Sequence, residues 1–150
     1  MTTIEEIEKS MMHDTCERAF LFSLDDNLIL PEKKDCSGKG SITFSEEELK
    51  HFEGNILIHS HVRNKYGGWT FTEHDINLFF RRKLREIRMV RGNIVKSLVH
   101  LDKGNCNHSD ILVKLAEFGL LKKGDPESII EEFLRSYPCL TFSEHTIETH

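Results

Sequence analysis

The chain has 150 residues, of which 38% are hydrophobic and 30% are charged, and its formal net charge is −5. This length suits one compact domain, which buries roughly 68–70% of the surface of its unfolded chain. The negative charge disfavours general binding to nucleic acid, and no run approaches the roughly 20 apolar residues that span a bilayer.

The first segment predicts an amphipathic helix, because apolar residues recur at helical spacing at Ile4, Ile7, Met11 and Met12. Its acidic start lacks the basic and then apolar pattern of a secretory signal. We therefore expect a soluble protein without a membrane partner, located in the cytoplasm.

A β-hairpin is predicted next. Residues 19–24 and 28–30 read as two strands, and residues 25–27 form the turn between them. A short strand at 41–44 follows, and a capping box at Ser45 then opens a short helix that ends at Phe52.

The most informative stretch is an apolar segment that ends in two histidines. Residues 55–58 predict a strand, although periodicity alone does not exclude a buried helix. Alternate residues of a strand share one face, so His59 and His61 point the same way and Ser60 points to the opposite face.

The helix that follows is expected to run from Thr72 to about Arg85. Its buried side carries four apolar residues, Ile76, Phe79, Phe80 and Leu84. Six cations lie at the end of this helix and the start of the next strand, at Arg81, Arg82, Lys83, Arg85, Arg88 and Arg91. They are interpreted as a solvated helix face, and the alternative is a patch that recruits an acidic partner.

The rest of the chain predicts a second hairpin around Gly92 and Asn93, and then two helices from Gly104 onward. The second of these begins with Asp125 as its N-cap and Pro126 in its first turn. Strands and helices mix without strict alternation, which predicts one domain of the α/β or α+β class over residues 1–150, with a mixed β-sheet flanked by helices.

The cysteines are widely spaced along the chain, at Cys16, Cys36, Cys106 and Cys139. They contain no Cys-x-x-Cys pair, which argues against a structural zinc site. Because a chain of this size needs no disulfides to be stable, we expect four reduced thiols.

A candidate metal site lies between the histidine pair and the next helix. Thr72 and Asp75 have the spacing of a helix cap, and such a helix start can still aim Asp75 toward the end of the strand. Two imidazoles and one carboxylate would supply three ligands and leave one position for water, as in catalytic zinc sites. Glu17, taken alone, reads as a surface carboxylate at a strand edge.

Together, Glu17, His59-Ser60-His61 and Thr72-x-x-Asp75 resemble the signature of the JAMM (MPN+) metalloproteases: an upstream Glu, His-x-His-Pro and Ser-x-x-Asp. The chain is similar to the prokaryotic and phage JAB-like domains, including the RadC type, over about residues 14–102. Residues 103–150 form a C-terminal helical extension outside the resemblance. Val62 stands where the family has Pro, and Thr72 stands where it has Ser.

The resemblance implies a JAB/MPN-like (cytidine deaminase-like) fold and a zinc-dependent hydrolase of peptide or isopeptide bonds. It implies that His59, His61 and Asp75 bind Zn²⁺. Glu17 would act as the general base and then the general acid, and the Thr72 hydroxyl would donate to the oxyanion. The substrate would be a peptide or a ubiquitin-like protein.

Two other functions are weighed against this one. A non-catalytic JAB-like scaffold would present a surface to a partner, but it has no physical reason to keep a complete set of site residues. A metal-dependent phosphoesterase or amidohydrolase also begins with His-x-His on a strand, but those barrels need roughly 200 residues or more.

The loop before Thr72 carries two large aromatic residues, Tyr66 and Trp69. It borders any substrate that reaches the metal, so both residues are predicted to line the substrate groove. The alternative for Trp69 is a core position, packed under the loop on the following helix.

Overall fold

The computed structural model describes residues 3–37, 42–62, 70–101, 108–121 and 126–148. The helices are α1 (Ile4–Met11), α2 (Glu46–Leu49), α3 (Glu73–Arg81), α4 (His108–Leu121) and α5 (Pro126–Arg135). The strands are β1 (Glu17–Phe22), β2 (Leu28–Asp35), β3 (Ile56–Ser60), β4 (Glu86–Arg91), β5 (Ile94–His100) and β6 (Leu140–Thr146). None of the helices in these ranges has the length and apolar character needed to cross a membrane.

The strands form one mixed, mostly antiparallel sheet in the order β2-β1-β3-β4-β5-β6. The pair β3 and β4 is parallel, and the other neighbouring pairs are antiparallel. A parallel pair needs a connection that crosses from one end of the sheet to the other. Helix α3 lies in that connection, and its N-terminus follows the end of β3.

Helices cover both faces of this sheet. Helices α3, α4 and α5 pack on one face around Leu57, Ile87 and Leu98, whereas α1 packs on the other face against Ile58 and Val90. Because side chains alternate along a strand, Leu57 and the histidines that follow it at positions 59 and 61 lie on the α3 face. The mixed α/β class and the flanking helices are therefore confirmed.

The predicted hairpins and helices are found, with shifted ends. Helix α3 ends at Arg81 and not near Arg85, because the backbone leaves the helix at Arg82 and turns left-handed at Lys83, where φ is 55°. The four apolar residues predicted for its buried side are all 1% exposed or less, including Leu84 beyond the end of the helix.

One strand prediction is wrong, and one strand was not predicted. Of the strand predicted at residues 41–44, residues 42–44 belong to neither a strand nor a helix, and residue 41 lies outside the described residues. The Thr43 carbonyl accepts from the Lys33 ammonium at 2.8 Å. The C-terminal part is also not purely helical. Strand β6 follows α5 and pairs with β5 along its whole length, from His100 with Leu140 to Ile94 with Thr146.

The expectation of reduced thiols is wrong. Cys16 and Cys36 form a disulfide across β1 and β2, with their Cα atoms 4.5 Å apart. The register that pairs Glu17 with Asp35 places these cysteines directly opposite each other, at the spacing of a close antiparallel pair. Cys139 is disulfide-bonded as well.

Removing the first disulfide is expected to destabilise the fold measurably. The double variant Cys16→Ala/Cys36→Ala should lose about 3 kcal/mol of unfolding free energy, because the bond closes a loop of roughly 20 residues in the unfolded chain. Denaturant unfolding at neutral pH measures the loss. The matched control is Thr15→Ala/Ser37→Ala at the exposed flanking positions. Equal stability of the two double variants would contradict the prediction.

Candidate metal centre

Strand β3 delivers both histidines to the same place. Just after the end of β3, the His61 amide donates a hydrogen bond to the Val90 carbonyl at 2.9 Å. The His59 and His61 side chains are 11% and 9% exposed, and their Nε2 atoms lie 2.9 Å apart. Ser60 points to the other face as predicted, and its hydroxyl accepts a hydrogen bond from the Arg18 amide at 3.0 Å.

Asp75 reaches these histidines from the first turn of α3. The Thr72 hydroxyl accepts from the Asp75 amide at 3.1 Å, and an Asp75 carboxylate oxygen accepts from the Thr72 amide at 2.9 Å. This reciprocal cap orients the carboxylate. Its Oδ1 lies 3.3 Å from His59 Nε2, and its Oδ2 lies 3.2 Å from His61 Nε2.

The buried carboxylate of Asp75 is held in its charged form. Burial alone would raise the pKa of Asp75, but the charges and hydrogen bonds of His59 and His61 outweigh burial and hold that pKa well below its usual range. Asp75 is 8% exposed. The cluster therefore presents an anionic oxygen at ordinary pH.

These three residues could hold a metal ion. Two imidazole nitrogens and one carboxylate oxygen lie within 4.8 Å of one another. Tetrahedral zinc places neighbouring ligand atoms about 3.3–3.5 Å apart. Here the two Nε2 atoms lie 2.9 Å apart, and the two histidines approach different oxygens of Asp75, at 3.3 and 3.2 Å. Imidazole suits zinc, copper, iron and nickel, and carboxylate oxygens also bind zinc.

One buried atom of the cluster lacks a partner. The Nδ1 atom of His59 makes no hydrogen bond with any described residue, although a metal-bound histidine usually donates from its second nitrogen. Packing on Phe71, whose ring centroid lies 6.4 Å away, holds the His59 ring instead. Phe71 itself is 1% exposed and immediately precedes Thr72, so it anchors the start of α3 against this ring.

Glu17 lines the same cavity as the three candidate ligands. Ala19 pairs with His59 in the antiparallel register of β1 and β3, and Glu17 lies two residues before Ala19 at the start of β1. Glu17 is half-buried. Burial raises the pKa of its carboxyl, the charge of His61 opposes this, and the charge of Asp75 adds to it.

The cavity around these groups is small and mostly apolar on its remaining walls. It offers about 30 Å³ to the centres of water-sized molecules, and one water needs about 10–15 Å³ by this measure. There is room for an ion with one or two waters. The apolar walls are Ala19, Ile42, Phe44, Leu57 and Leu78.

The structure brings five of the predicted site residues together: Glu17, His59, His61, Thr72 and Asp75. Thr72 is exposed at the rim, and its hydroxyl accepts in the helix cap, which leaves its hydrogen available as a donor. Tyr66 and Trp69 lie outside the described residues.

Sequence reasoning missed part of the cavity wall. Ile42 and Phe44 were expected in a strand, yet they line the cavity from an extended segment without a strand partner. His74 and Leu78 line it from α3. Residues four apart on a helix share one face, so this spacing could have predicted that both residues line the same cavity.

The chain was compared with models of protein families, with curated proteins and with solved structures, and none of the three comparisons finds a match.

Proposed function

We propose that this chain is a zinc-dependent hydrolase of peptide or isopeptide bonds with a JAB/MPN-like fold. The observation that carries the proposal is the meeting of His59, His61 and Asp75 in one cavity with Glu17. The resemblance to the JAMM signature supports it, because the same residues form that signature in the same order.

In this proposal His59, His61 and Asp75 hold the zinc ion. The bound ion would supply a water whose pKa is lowered to about 7. Glu17, which lines the same cavity, would take a proton from the attacking water as the general base. The water oxygen forms a bond with the carbonyl carbon, the carbon–nitrogen bond breaks, and Glu17 passes the proton to the leaving amine.

Thr72 has a second task in the same reaction. Its hydroxyl accepts within the helix cap through oxygen, so its hydrogen remains able to donate to the oxyanion that develops on the substrate carbonyl. The cap fixes where this hydroxyl sits, because the same residue begins α3 and faces the cavity.

A non-catalytic JAB-like scaffold is the second candidate. The observation in its favour is the distance of 2.9 Å between the two Nε2 atoms, which suits a direct hydrogen bond between the imidazoles and is shorter than the edge of about 3.3 Å expected around zinc. In that case His59, His61 and Asp75 form a hydrogen-bonded structural cluster without an ion.

The cytoplasmic location inferred from the sequence belongs to this proposal and remains a prediction. The disulfide between Cys16 and Cys36 weighs against it, because disulfides persist mainly in oxidising compartments.

Metal removal is expected to abolish hydrolysis. A panel of peptides and of ubiquitin-like fusions with peptide and isopeptide linkages first identifies a cleaved substrate. Dialysis against a chelator should then reduce its cleavage at least about a hundredfold, because no activated water remains, and added zinc should restore the rate. Cleavage that continues unchanged in metal-free protein would contradict the proposal.

A further inference from the structure

A second cavity lies beside the candidate metal centre, along α3. It has a volume of about 250 Å³ and is lined by Leu49, His74, Asn77, Leu78, Arg81 and Arg82. His74 and Leu78 line both cavities. The two cavities are therefore neighbours on the surface of α3, and we name their combined lining the α3 groove.

The floor of the α3 groove is a single stripe of the helix. His74, Leu78 and Arg81 follow one another at intervals of four and three residues, which places them on one face. The opposite face of α3 is fully engaged in the core, where Ile76 and Phe79 are 0% and 1% exposed. The side of α3 that carries His74, Leu78 and Arg81 is therefore the side on which another molecule can bind.

The groove changes character along its length. Its apolar walls are half-buried, with Phe44 at the metal centre, Leu78 in both cavities and Leu49 in the second cavity. At the far end stand two cations. Arg82 already pairs with Glu46 at 3.3 Å, whereas Arg81 is exposed and forms no ion pair with a described residue.

We propose that the α3 groove binds the substrate as an extended peptide, with an apolar side chain beside Leu78 and a carboxylate beside Arg81. The inference rests on the proposed function. Six residues of α3 separate Asp75 from Arg81, which is about 9 Å along the helix. An extended chain rises about 3.3 Å per residue. The peptide carboxylate beside Arg81 therefore lies about three residues from the bond that is cut.

Peptide binding tests this assignment separately from catalysis. The probes are two fluorescent hexapeptides with a leucine, one carrying Glu and the other Lys two residues from it, because Leu78 and Arg81 lie about 4.5 Å apart along the helix. Fluorescence polarisation measures their binding to zinc-treated Glu17→Gln protein, which leaves them intact. The Glu peptide should bind more tightly. Adding Arg81→Glu should weaken its binding about fivefold and favour the Lys peptide, because a surface charge contact turns from attraction into repulsion.

The matched control is Lys83→Glu, which makes the same change of charge at an exposed position outside the groove lining. Equal binding of the two peptides, no binding of either up to about 1 mM, or an equal loss in the control would overturn the groove assignment.

Cleavage of the same peptides by the wild-type chain reports the proposed function independently. Charge-dependent binding without cleavage rejects hydrolysis and keeps the groove as a peptide-binding surface. Cleavage without charge dependence keeps hydrolysis and rejects the groove.

Discussion

Purified protein is expected to contain about one zinc ion per chain, and loss of any one candidate ligand should reduce this to less than about a tenth. The variants are His59→Ala, His61→Ala and Asp75→Ala. Two remaining ligands cannot hold zinc against its hydration, because protein zinc sites supply at least three. Elemental analysis after gel filtration measures the content.

Two further variants separate ligand loss from general damage. His51→Ala removes an exposed histidine outside the cluster and should leave the zinc content unchanged. Asp75→Asn removes the charge but keeps an oxygen that can accept from the Thr72 amide, so the start of α3 survives. Full zinc content in all three alanine variants would contradict the site assignment, and zinc-free wild-type protein would favour the hydrogen-bonded cluster.

Bound zinc should also appear in thermal melts. A ligand that binds only the folded state at a hundred times its dissociation constant adds about 2.7 kcal/mol to the unfolding free energy. The melting temperature of chelator-treated wild type should therefore rise on addition of zinc, while the three alanine variants should not respond.

Glu17→Gln is expected to leave zinc bound while lowering hydrolysis about 10²–10⁴-fold. Glutamine has nearly the shape of glutamate, so β1 keeps its pairing with β2 and β3. It cannot accept a proton from water or pass one to the leaving amine. Measuring zinc content and turnover on one preparation, with a substrate found in the panel, tests both parts of the prediction.

The control for this change is Glu32→Gln, which removes a carboxylate from the neighbouring strand β2, outside the cavity lining. It should retain full turnover. Loss of zinc from Glu17→Gln would make Glu17 a ligand or a structural residue, and unchanged turnover would remove it from the reaction.

The elements around the candidate site were predictable because local signals agree there. An apolar run ends in His59 and His61, and the Thr72 cap opens a helix whose apolar residues recur at helical spacing. Because alternate residues of a strand share one face, both histidines lie on the face of the sheet that α3 covers. No signal along the chain gives the distance between Asp75 and these rings, which depends on how α3 packs on the sheet.

The features that were missed depend on pairing between distant segments. The strand β2 was expected to end at Leu30, so the register that brings Cys16 and Cys36 together lay beyond the predicted hairpin. Strand β6 contains Ser143, Glu144 and His145, which have weak strand preference. Its position at the edge of the sheet, with mostly exposed side chains, explains why its sequence carries so little of an apolar pattern.

The position of β6 in the chain also bears on the order of folding. Its residues pair with β5 partners roughly 40 to 50 positions earlier, and a ribosome adding about 5–20 residues per second needs about 2–10 s to make that intervening chain. During this interval β5 presents an unpaired edge that invites pairing with other chains. The strands and helix that carry the candidate ligands are already synthesised by then, so aggregation during synthesis is expected to depend on β5 and not on the metal centre.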